Sequence, residues 1–395
     1  MNGQRPPRGF ELRLVPDPPP PDPGGARSTV VHAVGTRPDL VKLAPVIAAL
    51  ARRGAFRQVV VDTGRDADAA LAAGVRADLG VAEPDHRLEL GAGTQAEETA
   101  AALTGFERLL VAERPELVLV AGETNASLGC ALAAAKLEIA VAHLEAGLRT
   151  WDWTSPEEIN RVLVDRLSDT LFTHSAEATE NLMAEGVADG RIHAVGSTTV
   201  DALRACEVRA RARGAWLPLG LREREYVLVS LQHPSNVDDR ARLERIVIAL
   251  AGLAEHVPVL LPLDPTIAER LEACDGLATL DAAGVRRTGP LGYLDFLSLQ
   301  AGAGSIVTDS GGVQEEASAL GVCCYTLRAT TERPVTLTHG TNVLLGDDPD
   351  AIAGVRPSPW APTPCAIPMW DGRAAERAAD ALVANYALAG AHALS

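Results

Sequence analysis

Two doubly wound α/β domains facing one another across a cleft are the architecture that this sequence predicts. Three observations carry it. The chain has 395 residues, more than one hydrophobic core usually serves. Short apolar runs alternate with amphipathic helical stretches, and the alternation restarts at Tyr226 after a Pro-, Gly- and charge-rich break at 213–224. Ala, Leu and Val dominate while aromatic residues make up 4%, which suits parallel sheets covered by helices better than an antiparallel sandwich. The boundaries follow: a lead at 1–28, a first domain at 29–212, a second at 225–370, and a closing segment at 371–395.

The lead contains PDPPPPDPGG, which forms neither a helix nor a central strand. Thr29 to Val34 reads as a strand, Gly35 to Pro38 as a turn, and Asp39 to Leu50 as a helix, with Arg37 and Lys42 placed to meet an anion or, equally, to solvate a helix start. Strands follow at Gln58–Asp62, Leu117–Val120, Ile139–His143, Leu171–Thr173 and Ile192–Val195. Helices are expected at Asp66–Ala73, Glu97–Ala112, Ser127–Lys136, from Ser155-Pro156-Glu157-Glu158 onward, from Ala176, and at Thr199–Ala212. Glu157 and Arg161, four apart, fit an i,i+4 ion pair. In the second domain, strands at Tyr226–Leu231 and Val257–Leu263 alternate with helices from Arg240, Asp264 and Tyr293. Asp371 to Ala387 reads as a closing helix that packs back on the first domain.

The stretch Ile306–Arg333 concentrates the chemistry. A strand (Ile306–Thr308) runs into a polar turn (Asp309 to Gly312), then a helix (Gln314–Leu320) stopped by Gly321, then a strand (Val322–Leu327). A helix N-terminus carries unpaired N–H groups and a positive dipole end, a seat for phosphate. Ser310 adds a hydroxyl, Gly311 and Gly312 let backbone approach an anion, and Arg333 offers a fork-shaped cation. Glu315 or Glu316 can accept from sugar hydroxyls. The alternative is a capped helix in an ordinary α/β unit. Glu123, Glu145 and Glu157 occupy comparable loop positions in the first domain, where they can move a proton or steady a developing cation. Each has an alternative as a solvated or capping residue. His233, in a strand-end loop, is a further ligand candidate, and His143 fits a hydrogen-bonded core histidine.

Several classes are disfavoured. A net charge of −16 speaks against a nucleic-acid surface and an acidic membrane. The six cysteines show neither C-x-x-C nor metal-ligand spacing. There is no Walker motif, no G-x-S-x-G, and no G-x-G-x-x-G after the first strand. Apolar runs too short for a bilayer and an N-terminus without a signal-type core read as cytoplasmic. The Ala, Arg and Gly content fits a high-GC bacterium.

The motifs GTRPDLVKLAPVI (35–47), HLEAGLRT (143–150), PEEINR (156–161), TDSGGVQEEASALG (308–321) and TTERP (330–334) give the chain its resemblance. From about Val30 to Ala387 it resembles the non-hydrolysing UDP-N-acetylglucosamine 2-epimerases. The resemblance implies the two-domain fold shared with many nucleotide-sugar glycosyltransferases (GT-B type), a homodimer, and interconversion of UDP-GlcNAc and UDP-ManNAc without NAD or metal, through elimination of UDP to a 2-acetamidoglucal and its re-addition. It also implies roles. Glu145, Glu157 and Arg161 are catalytic. Arg37 and Lys42 lie on the substrate's phosphate side, Ser310, Gly311 and Gly312 contact the diphosphate, Glu316 holds the ribose, and Arg333 contacts UDP.

Departures cluster on the cleft. The family's G-D-T loop reads AGETN, with Glu123 one methylene longer. Its L-H-R-P-x-N run reads Leu231-Gln232-His233-Pro234-Ser235-Asn236, so Gln232 occupies the catalytic histidine position and His233 the arginine position. Asp264 in PLDPT replaces a second histidine, T-G-Q-H reads Thr63-Gly64-Arg65-Asp66, and the segment from Arg149 to Glu157 is shortened. The expectations are therefore the family epimerase, a related enzyme acting on another nucleotide-sugar by hydrolysis, elimination or epimerisation, or a non-catalytic UDP-sugar binder. A glycosyltransferase is a residual alternative that the fold permits.

Overall fold

The computed structural model describes residues 27–64, 69–88, 90–91, 93–358 and 366–387. The proline-rich lead, Arg65, Asp66, Cys365 and the residues after Ala387 lie outside the described residues. The first run of elements is β1 (Ser28–Val34), α1 (Arg37–Arg53), β2 (Phe56–Asp62), α2 (Ala69–Leu79), β3 (His86–Arg87), α3 (Gln95–Glu113), β4 (Leu117–Ala121), α4 (Asn125–Lys136), β5 (Ala140–Leu144), α5 (Pro156–Leu167), β6 (Thr170–Thr173), α6 (Ala176–Ala184), β7 (Ile192–Ala194) and α7 (Thr198–Arg213). The second is β8 (Val227–Ser230), α8 (Pro234–Val237), α9 (Arg240–Ala254), β9 (Val259–Pro262), α10 (Pro265–Ala273), α11 (Gly276–Ala282), β10 (Arg286–Thr288), α12 (Tyr293–Gly302), β11 (Ser305–Thr308), α13 (Gly311–Leu320), β12 (Cys323–Thr326), α14 (Val335–Thr338), β13 (Asn342–Leu344) and α15 (Ala374–Leu382).

The strands form a seven-stranded parallel sheet in the order β3-β2-β1-β4-β5-β6-β7 and a six-stranded one in the order β10-β9-β8-β11-β12-β13. The fold is thus GT-B type, with two Rossmann-like domains. Central strands such as β4 and β11 are buried at every position, because helices cover both faces of a parallel sheet. The strand order reverses between β1 and β4 in one sheet and between β8 and β11 in the other. In doubly wound sheets the crevice for a ligand opens at such switch points, beyond the carboxyl ends of the strands.

One buried apolar cluster runs through both domains, from Val30 and Leu119 to Leu228 and Ile306. Helix α7 carries it across, packing on α1 and on α12 and α13. Trp216 lies so close over Gly302 that a Cβ there would stand 2.4 Å from the indole. Helix α15 returns the chain to α1, where Arg53 bonds Glu376 and Asp380.

Some boundaries differ from the sequence reading. The closing helix begins at Ala374 rather than Asp371, because Gly372 has φ 80° and Asp371 accepts from the Arg373 N–H. It ends in a π-helical turn over Val383–Ala387. Helix α13 begins at Gly311, so both glycines belong to the helix and not to the turn before it. The first-domain helix expected at Asp66–Ala73 is described over Ala69–Leu79.

Candidate active site

The site is assembled at the two switch points. After β1, the chain turns through Gly35 and enters α1 by a capping box. Thr36 Oγ1 accepts from the Asp39 N–H, and the Asp39 carboxylate accepts from the Thr36 N–H at 2.9 Å. This places Arg37 and Lys42 on the cleft. Lys42 is buried and reaches Glu145 at 2.8 Å. Asp39, 4.0 Å from Lys42, is pushed up to about 6 by burial against that cation.

Glu145 follows β5 in a left-handed conformation, φ 64°, uncommon for a residue with a side chain and typical of functional constraint. It is buried, and besides Lys42 it accepts from Arg333 Nη2 at 3.0 Å. Burial alone would raise its pKa; Lys42 and Arg333 outweigh burial and hold it well below the usual carboxylate range. Arg333 is also buried and bonds Glu315 and Glu332. Its guanidinium occupies the space over Gly311, where a Cβ would stand 2.0 Å from a guanidinium nitrogen. Gly311 is therefore a packing glycine beneath Arg333. Gly312 has open space at the same position.

Two connected cavities open from this charged floor. The first, about 170 Å³, has apolar walls that include Leu231, Pro262, Ile267 and Phe296, with Glu316 at its inner side and Ser310 and Gly312 from the α13 N-terminus. Ser310 makes no side-chain capping bond, which leaves its hydroxyl and the first helix N–H groups available to an anion. Glu316 accepts from Tyr293 at 2.9 Å and Gln300 at 2.6 Å. Burial pushes it up to about 7 despite these two donors. The second cavity, about 600 Å³, is bordered by Glu123, Asn125, Glu157 and Asn160 of the first domain and by Pro234 and Thr266 of the second. Arg37, Lys42, Gln232 and Asp264 border both. Neither Glu145 nor Arg333 lines either cavity; they lie beneath.

Glu123 accepts from Arg161 at 3.3 Å. Burial acts to raise its pKa, but Arg161 and Lys42 win and lower it. Its loop is held by a buried relay: Asp165 bonds His143 Nδ1 at 2.7 Å, and His143 Nε2 meets the Gly122 carbonyl at 3.1 Å. His143 is thus a core histidine with both nitrogens engaged. The expected Glu157–Arg161 pair is not formed. Arg161 turns instead to Glu158, 2.9 Å away, and to Glu123. Glu158 also accepts from the Thr150 and Trp151 N–H groups, so the buried residue of the glutamate pair takes the arginine. Glu157 bonds Ser155 at 2.6 Å and faces the second cavity. His233 does not move into the place of Gln232; its ring caps α8 and bonds Ser235 at 2.8 Å.

Sequence reasoning gave no site role to Glu158 or Asp309, and it flagged Asp264 only as a departure on the cleft, not as a partner of Arg37. Asp309 accepts from the Gln232 and His233 N–H groups and from Asn236, tying the loop after β8 to the turn after β11. Its position in the D-S-G-G turn was visible, but its partners, 73–77 residues away, were not. Among the described residues, no His/Cys/Asp/Glu group has a metal-holding arrangement, and no helix is long and apolar enough to cross a membrane.

Residues 48–383 match the family described as UDP-N-acetylglucosamine 2-epimerase. The chain is 38% identical to the UDP-N-acetylglucosamine 2-epimerase of Methanocaldococcus jannaschii over 326 residues, 81% of this chain and 88% of that one. The chain belongs to the UDP-N-acetylglucosamine 2-epimerase family. It is an isomerase-type enzyme with an epimerase-like catalytic cleft. The crystal structure of the M. jannaschii enzyme in complex with UDP-GlcNAc and UDP superposes with a TM-score of 0.84 at 35% identity, covering 90% of this chain and all of that one. The UDP-2,3-diacetamido-2,3-dideoxy-D-glucuronate 2-epimerase of Pseudomonas aeruginosa is 36% identical over 82% of this chain and 90% of its own. Gln232 and Asp264, two of the departures noted in the sequence, both border the two cavities.

Proposed function

We propose that this chain interconverts UDP-GlcNAc and UDP-ManNAc. The observation that carries the reading is the pairing of the cavities. An apolar pocket with Glu316 and an open helix N-terminus joins, past Arg37 and Gln232, a wider cavity whose walls include Glu123 and Glu157. Uridine fits the first, with ribose hydroxyls donating to Glu316. The diphosphate meets Ser310 and the α13 N-terminus, whose N–H groups stabilise the charge that builds on it. The sugar occupies the second. As the C2 proton leaves, its C–H electrons form the C1–C2 double bond, and the C1–O bond breaks with its electron pair passing to UDP. Glu157, with Glu123 beside Arg161, supplies the carboxylate that takes the proton. Return of a proton to the opposite face and re-addition of UDP complete the epimerisation. Gln232 donates a hydrogen bond at the junction but does not titrate. Glu145, ion-paired with Lys42 and Arg333, sets the charge of the floor.

A second reading keeps the chemistry and changes the sugar. Gln232 at the junction favours it, together with a relative whose name specifies a diacetamido uronate. Proton and phosphorus NMR with UDP-GlcNAc in D2O separates the two. UDP-ManNAc deuterated at C2 is the expected product. Free UDP with a glycal or free sugar would replace epimerisation by elimination or hydrolysis, and an unchanged but UDP-competed substrate would favour another nucleotide-sugar. A homodimer and a cytoplasmic location belong to the same proposal. Ile159 and Leu163, exposed one turn apart on α5, support a self-association face, which sedimentation velocity tests. The net charge of −16 supports a small-molecule ligand over nucleic acid or an anionic membrane.

A further inference from the structure

Where the two cavities meet, the ion pair between Arg37 and Asp264 crosses the cleft. Arg37 opens α1 in the first domain, and Asp264 caps α10 in the second. Arg37 Nη2 donates to Asp264 Oδ2 at 3.0 Å, while Asp264 Oδ1 accepts from the Thr266 N–H at 3.0 Å. One carboxylate oxygen thus holds its own helix, and the other holds the opposite domain. Both residues border both cavities, so a nucleoside diphosphate joining them must pass this pair.

The neighbouring cations are committed elsewhere. Lys42 is buried against Glu145, Arg161 against Glu158, and Arg333 against three carboxylates. The Arg37 and Asp264 side chains are 29% and 22% exposed, and the contact is a single hydrogen bond. Such a pair is weak and exchangeable, whereas a guanidinium binds phosphate with two parallel bonds.

We propose that Asp264 is a specificity-determining residue that holds Arg37 in a clasp across the cleft, which only a ligand with a diphosphate opens. The inference rests on the nucleotide-sugar reading and deepens it. An arriving diphosphate takes Arg37 from Asp264, and the departing nucleotide gives it back, so Asp264 lowers affinity for the phosphates and leaves affinity for the nucleoside unchanged. A neutral nucleoside leaves the clasp shut.

Calorimetry with UDP and with uridine on wild type, Asp264→Asn, Arg37→Gln and the double variant tests this. Asparagine keeps the shape and the helix cap; Asp264→Ser, also a capping residue, serves if the first variant does not fold. Asp264→Asn should bind UDP about two- to fivefold more tightly, the range for losing a partly exposed ion pair, with uridine affinity unchanged. In the Arg37→Gln background the gain should shrink, because the competition then has no object. Unchanged or weaker UDP binding by both Asp264 variants, a gain of equal size with uridine, or a gain of equal size without Arg37 would each overturn the clasp alone. Absence of UDP binding by wild type would overturn the nucleotide reading and the clasp with it.

Discussion

Replacing Glu145 by glutamine removes the one carboxylate shared by Lys42 and Arg333. The magnitude follows from the structure. Glu145 is buried, with its pKa held at about 2 against a reference of 4.5; a shift of that size corresponds to about 3 kcal/mol. An independent argument agrees, since breaking a buried ion pair by neutralising one partner typically costs about 3–5 kcal/mol. Arg333 keeps Glu315 and Glu332, which favours the lower end, and Lys42 keeps Asp39 at 4.0 Å and the attraction of Glu123. The expected loss is therefore about 3 kcal/mol at neutral pH, read from urea unfolding. The sign with pH follows from a depressed pKa. The contribution is present above about 4.5 and is lost as pH falls towards about 2, so the wild-type and Glu145→Gln curves should converge over that window. A loss below about 1 kcal/mol, combined with abolished turnover, would refute the reasoning and make Glu145 a reacting group instead of the anchor of the floor.

Glu157→Gln should behave in the opposite way: turnover falls by about a hundredfold or more, as expected for loss of a proton-transfer group, while stability stays within about 0.5 kcal/mol. Steady-state kinetics beside urea unfolding reads both, and retained turnover would remove Glu157 from the chemistry. Gly311→Ala should destabilise by about 1–3 kcal/mol through overpacking against Arg333, whereas Gly312→Ala, facing open space, should leave the thermal midpoint in place and weaken UDP binding. Equal thermal shifts would contradict the packing assigned to Gly311. Uridine affinity should rise as pH passes upward through about 7, where Glu316 ionises and becomes a stronger acceptor. The raised pKa also means that the Glu316 contribution to stability declines from about 4.5 to about 7. Calorimetric binding that is flat from pH 6 to 8, or that retains the slope in Glu316→Gln, would exclude Glu316 as the ribose acceptor.

The alternation of apolar runs and amphipathic helices was legible because each central strand must be buried on both faces and each helix on one. Local periodicity therefore carries the order of elements, and the placement of polar loops at strand ends follows from it. The family motifs were legible for the same reason: they are contiguous. Edge strands β3 and β10, of two and three residues, offer too few positions for a periodic signal, and the four-residue helices α8 and α14 are no better marked.

Partner choice among charged side chains was decided only in three dimensions. The i,i+4 spacing offered Arg161 to Glu157, yet burial of Glu158 beside Arg161 made that neighbour the one with a charge to compensate. For Arg333, the space above Gly311 admits its guanidinium to three carboxylates, a set of partners that its place in TTERP does not reveal. Arg37 and Asp264 stand 227 residues apart and meet because Arg37 follows β1 at the switch point of the first sheet while Asp264 follows β9, the neighbour of β8 in the second. The sequence by itself determined which elements form, their order and the edge of each sheet where polar residues gather, since those depend on local pattern and burial. The tertiary structure decided which of those polar groups neutralise one another and which remain open to a ligand, because charge pairing depends on distance and desolvation that no local pattern encodes.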